Sequence, residues 1–403
     1  MMNTLDFTQS ATVLRDIVTQ ATGKAVVTPV TDSDFVAVGQ LGLLAGYDNL
    51  LKAISQVLGR TIFKIRPYDA KFKGLQVSEQ IYGNMVRKLY AADQPPQNDS
   101  RMDLVPGQHN KDMFDVQKNT IVQENFYGYA AYERGLTMYR DQLNVAFSSA
   151  EEFGRFIAML MQNASDMMEQ DHETFARNVI GALIAGRVAG ANATPAIAAD
   201  SVVHLLTEYN AATGKSLTNI TLYAPENYPA FVKWAYARVA AISSLMTERS
   251  SKFQTVLDAD ADGNERNINL HTPYAEQRVY LYAPDRYGIE SRVLADTFHD
   301  NYLRLADTES VNFWQNINDP MKISHNATYL KPDGTLQTGN AATEVDSIFG
   351  VIADRDAMGY TVMSTWSAPT PFEARGGYTN IWYHFTDKYW ISFLEKSVVL
   401  LLD

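Results

Sequence analysis

The chain has no cysteine in 403 residues, which removes disulfides, zinc–thiolate sites and thiol nucleophiles together. Positive charge is also in short supply. Against 46 Asp and Glu stand 34 Lys and Arg, giving a net charge of −12, so a nucleic-acid-binding surface is not expected. No apolar run is long enough to span a bilayer. The first residues, MMNTLDFTQS, lack the basic-then-apolar order of a secretory signal. These absences predict a soluble, intracellularly made protein with no membrane contact.

Motifs that would carry chemistry are missing as well. Asp258-Ala-Asp260-Ala-Asp262-Gly263 opens like a calcium loop, but the twelfth position, where a bidentate Glu is needed, is Asn269. Gly214-Lys215-Ser216 resembles the end of a phosphate-binding loop, yet Tyr209 stands where the first glycine belongs. His172-Glu173 would need a second histidine at 176, which is Ala176. None of the seven histidines pairs with another at ligand spacing. There is no Gly-x-Ser-x-Gly elbow, no glycine fingerprint after a strand and no internal repeat. No catalytic residue, cofactor or metal is expected, and the chain reads as a non-enzyme.

What is present is length and pattern. A chain of this size buries a large core and divides into two or three domains. Its organising stretch is Ser148–Arg187. Ser148 and Ser149, each followed three residues later by Glu151 and Glu152, form a capping-box start. Phe153, Phe156, Ile157, Leu160, Ala164, Met167 and Met168 recur at helical spacing, and Phe175, Val179, Ile180, Leu183 and Ile184 resume the stripe. No proline interrupts it, and Gly186 offers a stop. Such a helix would reach about 60 Å.

Before this spine, residues 1–23 read as an arm with a short helix (Val13, Leu14, Ile17, Val18) ended by Gly23. Helical patterns follow at Asp34–Leu44 and Asp48–Leu58. TIFKIRPYDAKFKG then alternates Ile62, Phe63, Ile65 and Phe72 with Lys64, Arg66, Lys71 and Lys73, the pattern of an extended segment with one basic face. Residues 82–118, with Pro95-Pro96 at their tip, suit a long projecting hairpin. Thr120–Phe147 return as aromatic-rich strands.

After the spine, AGANATPAIAADS reads as a hinge. Val202–Asn210 and Asn227–Arg249 read as helices, the latter with Pro229 in its first turn. Residues 253–282 read as strands around a polar loop, Ser291–Leu305 as a helix, and Lys331-Pro332-Asp333-Gly334 as a turn. Ser347–Leu402 reads mainly as strands. Seven of the sixteen residues from Tyr378 to Phe393 are aromatic. A strand-rich core or a subunit interface is expected to use them, rather than a sugar cleft.

The order of parts and the local sequence resemble the major capsid proteins of tailed bacteriophages, the Hong Kong 97-type fold. LTMYRDQLNVAFSSAEEFGRFIAMLMQ (Leu136–Gln162) resembles the family's strand-to-spine entry. SIFGVIADRDAMG (Ser347–Gly359) is similar to the strand before the closing section. TPFEARGGYTNIWYHFTDKYWISFLEKSVVLLLD (Thr370–Asp403) is similar to the closing strands themselves.

The resemblance implies an α+β capsid fold with an N-terminal arm, an extended loop, a long spine helix in a peripheral domain and a mixed α/β axial domain. The implied boundaries are arm 1–59, extended-loop region 60–147, peripheral domain with spine 148–200, axial domain 201–365 and closing strands 366–403. It implies a shell subunit assembling as hexamers and pentamers around packaged double-stranded DNA, without sequence-specific contact. Expected partners are other copies, a separate scaffolding protein, a portal protein and decoration proteins. The expected place is the virion capsid, assembled in the host bacterial cytoplasm. In such shells one subunit's loop lies across its neighbour's spine. Lys64, Arg66, Lys71, Lys73, Arg87 and Lys88 would then meet Glu169, Asp171 and Glu173. The alternatives are an encapsulin-like compartment shell and a carbohydrate-active enzyme built on the aromatic tail.

Overall fold

The computed structural model describes residues 7–46, 49–50, 52–54, 71–76, 86–94, 120–127, 129–146, 149–195, 199–259, 265–266, 268–292 and 308–403. The chain falls into two compact units. The first holds 1–83, 128–175 and 361–388; the second holds 84–127, 176–360 and 389–403.

In the first unit, helix α1 (Phe7–Thr22) ends at Gly23, whose φ of 68° takes the left-handed turn that glycine adopts without strain. Helix α2 (Asp32–Leu44) opens on a capping box, with Thr31 and Asp34 each satisfying the other's backbone N–H. Leu14, Ile17 and Val18 of α1 and Phe35 of α2 are fully buried. They share a core with Met138, Phe153, Ile381, Tyr383 and Phe385. Part of that core comes from a three-stranded sheet in the order β10-β11-β3, built from β3 (Tyr129–Tyr139), β10 (Met358–Pro369) and β11 (Tyr378–Ile391).

Strand β11 alternates buried with half-buried residues along most of its length, the period of a strand with one face on a core. The aromatic run is therefore core first. Tyr383 and Phe385 lie in this cluster, while Trp390 and Phe393 are buried in the second unit. The chain between β3 and the spine, expected as strand, is helix α3 (Arg140–Ala146).

The spine is one helix, α4 (Ala150–Ala193), and the Ser149 hydroxyl caps it by accepting from the Glu152 N–H. It contributes residues 150–175 to the first unit and 176–193 to the second. Gly186 does not end it. The glycine is there for space, because an added β-carbon would collide with the Thr328 carbonyl and the Phe393 ring. The segment expected as a hinge from Ala189 is still helix up to Ala193.

The second unit is organised on a five-stranded sheet, β4-β12-β9-β5-β6. Its strands are β4 (Val202–His204), β5 (Gln277–Tyr282), β6 (Thr308–Val311), β9 (Ile348–Asp354) and β12 (Ser397–Leu401). Every residue of β12 is buried, as suits a central strand covered on both faces. Helix α5 (Leu205–Thr213) and helix α6 (Tyr228–Thr247) share its core through Leu206, Tyr209, Phe231, Ala235, Val239 and Ile242.

The expected helix at Val202–Asn210 is thus a short strand followed by a helix. Among the described residues of the region 253–282, strand is found only at β5, with an isolated bridge joining Leu270 to Ser250. Helix α7 covers Ala283–Arg292; the rest of the expected helix, 293–305, lies outside the described residues. The turn at Lys331–Gly334 joins β7 (Ile323–Leu330) to β8 (Leu336–Val345).

Candidate subunit-contact surfaces

The two ends of the expected projecting loop are paired. β1 (Val86–Ala91) runs antiparallel to β2 (Ile121–Phe126), with Lys88 opposite Glu124 and Ala91 opposite Ile121. Residues 95–119 between them lie outside the described residues. Alternation gives this hairpin two faces. One exposes Arg87, Leu89, Ala91, Ile121, Gln123 and Asn125. The other carries Lys88, Tyr90 and Glu124 into a polar cluster. Lys88 Nζ donates to the Asp356 carbonyl and, at 3.4 Å, to Glu395. Tyr90 donates to Glu395 at 2.8 Å, and Ser392 donates to Glu124 at 2.6 Å. Burial holds the carboxyls of Glu124 and Glu395 above their ordinary range and does the same to the Tyr90 phenol.

Beneath this cluster lies Arg187, 1% exposed. Its guanidinium donates to Ser397 Oγ at 2.7 Å, to the Glu395 carbonyl at 2.6 Å and to Thr255 at 3.4 Å. Lys396 is fully buried and donates to the Glu248 carbonyl and to Ser250. Sequence reading passed over Arg187 because an arginine at the end of an amphipathic stripe reads as solvated; the surrounding acceptors come from distant segments.

The acidic candidates on the spine are not simply displayed. Glu169 and Glu173 are each 8% exposed. Glu173 accepts from the backbone N–H of Lys71 in the same chain, and Asp171 receives both arms of the Arg134 guanidinium. Nearby, Tyr132 donates to the buried Asp387 at 2.7 Å.

Of the basic candidates, Arg87 is exposed, Lys88 is engaged as above and Lys71 is exposed. Lys64 and Arg66 lie outside the described residues, as does the Lys73 side chain. Residues 71–75 form a turn and a 3-10 helix rather than the expected strand, with Phe72 buried. Residues 260–264 and 267 of the calcium-like loop are also outside the described residues. Among the described residues, no group of three or more His, Asp or Glu gathers as a metal site, and no helix is long and apolar enough to cross a membrane.

Comparison with known proteins gives a consistent picture. The family model for Phi29-like phage major capsid proteins matches residues 12–401. The fold is similar to a chain of the capsid structure of Staphylococcus phage Andhra, with a TM-score of 0.52, 9% identity, and 85% of this chain and 86% of that one covered. It is also similar to a chain in the structure of the head fiber and inner core protein gp22 of native bacteriophage P68, with a TM-score of 0.54, 10% identity, and 84% and 86% covered. At that identity the likeness shows the fold, which is of the Hong Kong 97 type. No curated protein sequence matches.

Proposed function

The chain belongs to the Phi29-like phage major capsid proteins and is the major capsid protein of a tailed phage, and from that premise we propose how it builds the head. Copies assemble as hexamers and pentamers into a closed icosahedral shell around packaged double-stranded DNA, in the host cytoplasm, with a scaffolding protein and a portal. Decoration proteins are further candidates for the finished surface. The observation that carries this reading is the family match over 12–401. It favours a phage shell over a compartment for enzyme cargo. The burial of Tyr383, Phe385, Trp390 and Phe393 speaks against a sugar cleft.

Contact between subunits would use the basic stretch Lys64, Arg66, Lys71 and Lys73 together with Arg87, set against the acidic stretch around Asp171 of a neighbour. Lys88, Glu169 and Glu173 would join only by leaving the partners and burial they have within their own chain. The exposed face of the β1–β2 hairpin, with Arg87, Leu89 and Ile121, offers both charge and apolar area for this. A net charge of −12 suits a container, because a lining that bound phosphates tightly would hold the DNA it must let pass. Charge reversal tests the interlock. Arg66→Glu with Lys73→Glu should abolish shells while circular dichroism stays that of the wild type; normal shells would overturn it.

A further inference from the structure

The polar cluster at the base of the β1–β2 hairpin has fewer hydroxyl protons than contacts. Four oxygens meet there. Ser392 Oγ is 2.6 Å from Glu124 Oε2, and the Tyr90 hydroxyl is 2.8 Å from Glu395 Oε1. Tyr90 is also 3.2 Å from Glu124 Oε2 and 3.3 Å from Ser392 Oγ. Ser392 and Tyr90 bring one hydroxyl proton each. The two shortest contacts use both: Ser392 donates to Glu124, and Tyr90 donates to Glu395, which also receives Lys88. Were Glu124 ionised, its Oε2 would face the Tyr90 oxygen with no proton between them, in a place where Tyr90 is 9% and Ser392 0% exposed. Two lone pairs opposed without solvent are repulsive.

We propose that Glu124 carries a proton in this docked arrangement, donating it to the Tyr90 oxygen, and that this proton is the catch fastening the hairpin base to the closing segment 392–397. The chain of donors then runs from Ser392 through Glu124 and Tyr90 to the Glu395 carboxylate, where Lys88 balances the charge. Every element packed here contributes a group: Lys88 and Tyr90 from β1, Glu124 from β2, Ser392 and Glu395 from the closing segment, Arg187 from α4 and Asp354 from the end of β9. Asp354 opposes ionisation of Glu395, and Lys88 favours it; Lys88 favours ionisation of Glu124 too, against the larger effect of burial.

A carboxyl held above its ordinary range when docked binds its proton more tightly docked than free. Docking is therefore strongest at low pH and is lost as pH rises through the raised value. The catch makes the hairpin of this chain releasable by loss of one proton.

Hydrogen exchange on the purified full chain tests this, followed over 86–94 and 120–127 and corrected for the intrinsic pH dependence of exchange. Wild-type protection should fall as pH rises, about tenfold for each pKa unit of differential proton binding. Glu124→Gln removes the titrating group. Because Tyr90 and Ser392 both meet the one Oε2 position, its amide can donate to Tyr90 or accept from Ser392 but not both. Its protection should lie below that of acidic wild type and stay independent of pH. Glu395→Gln leaves Lys88 without its carboxylate and should lose protection at every pH. Flat wild-type protection, or Glu124→Gln protection that falls with pH as the wild type's does, would overturn the proposal. Should a variant fail to fold, wild type with 13C-labelled glutamate carboxyls decides. A buried glutamate resonance that deprotonates in step with hairpin opening is the expected result, and absence of any such resonance contradicts the catch.

Discussion

Gly186 lies against the ring of Phe393: a β-carbon on it would stand 2.5 Å from Cζ. Four residues on, Gly190 faces Tyr329, and a β-carbon there would find only ordinary contact at 3.6 Å. The two glycines should therefore respond oppositely. Gly186→Ala forces backbone or ring to move and should cost about 1–3 kcal/mol. Gly190→Ala should be neutral or stabilising by up to about 1 kcal/mol, since alanine is the better helix former. Denaturant unfolding of the pair, beside wild type, reads the difference directly.

Arg187 is fastened by three acceptors, Ser397, Thr255 and the Glu395 carbonyl. Arg187→Met keeps most of the volume but strands those groups in a buried place, at a cost of about 3 kcal/mol. Arg187→Lys should recover only part, because an ammonium cannot present the guanidinium's fork. Thermal unfolding should rank wild type above Lys and Lys above Met.

Asp285, in the first turn of α7, is fully buried and accepts from Tyr228 at 2.9 Å and Tyr223 at 3.4 Å. Burial raises its carboxyl from 3.8 to about 6, with the two tyrosines partly offsetting this. The folded value lies above the unfolded one, so the contribution is complete below 3.8 and lost as pH rises through about 6. Relative to Asp285→Asn, the wild type should lose up to about 3 kcal/mol across that window. Unfolding free energies of both proteins measured through it check the sign; a constant difference would contradict it.

The Arg134–Asp171 pair has an arginine side chain that is 44% exposed. Arg134→Ala should lower monomer stability by less than about 1 kcal/mol. It also leaves Asp171 without that guanidinium. A much larger change in shell yield than in monomer unfolding would place the pair's importance in assembly.

The sequence was most readable where one residue's pattern decides its surroundings. The Ser149 cap, the spine helix, Gly23 after α1 and the turn at Lys331–Gly334 are local statements, and the structure has each of them. Errors arose where tertiary space overrode a local signal. Gly186 looked like a stop and is a point of close approach, and Val202–His204 joined a sheet edge because β12 lies parallel beside it. The acids 169, 171 and 173 were expected to meet a neighbour's basic loop, and their partners within the chain were not legible. Glu169 and Glu173 are buried, and Asp171 is held by an arginine 37 residues away. The Glu124–Tyr90–Glu395 cluster was illegible for the same reason, being drawn from segments up to 305 residues apart.

The most direct test of shell formation is light scattering coupled to size exclusion, with negative-stain microscopy of the heaviest fraction, on the purified protein alone and with the proposed scaffolding protein. Closed shells, or tubes and rings of many copies, are the predicted result. A monomer that stays monomeric with scaffold and crowding agent would contradict the account.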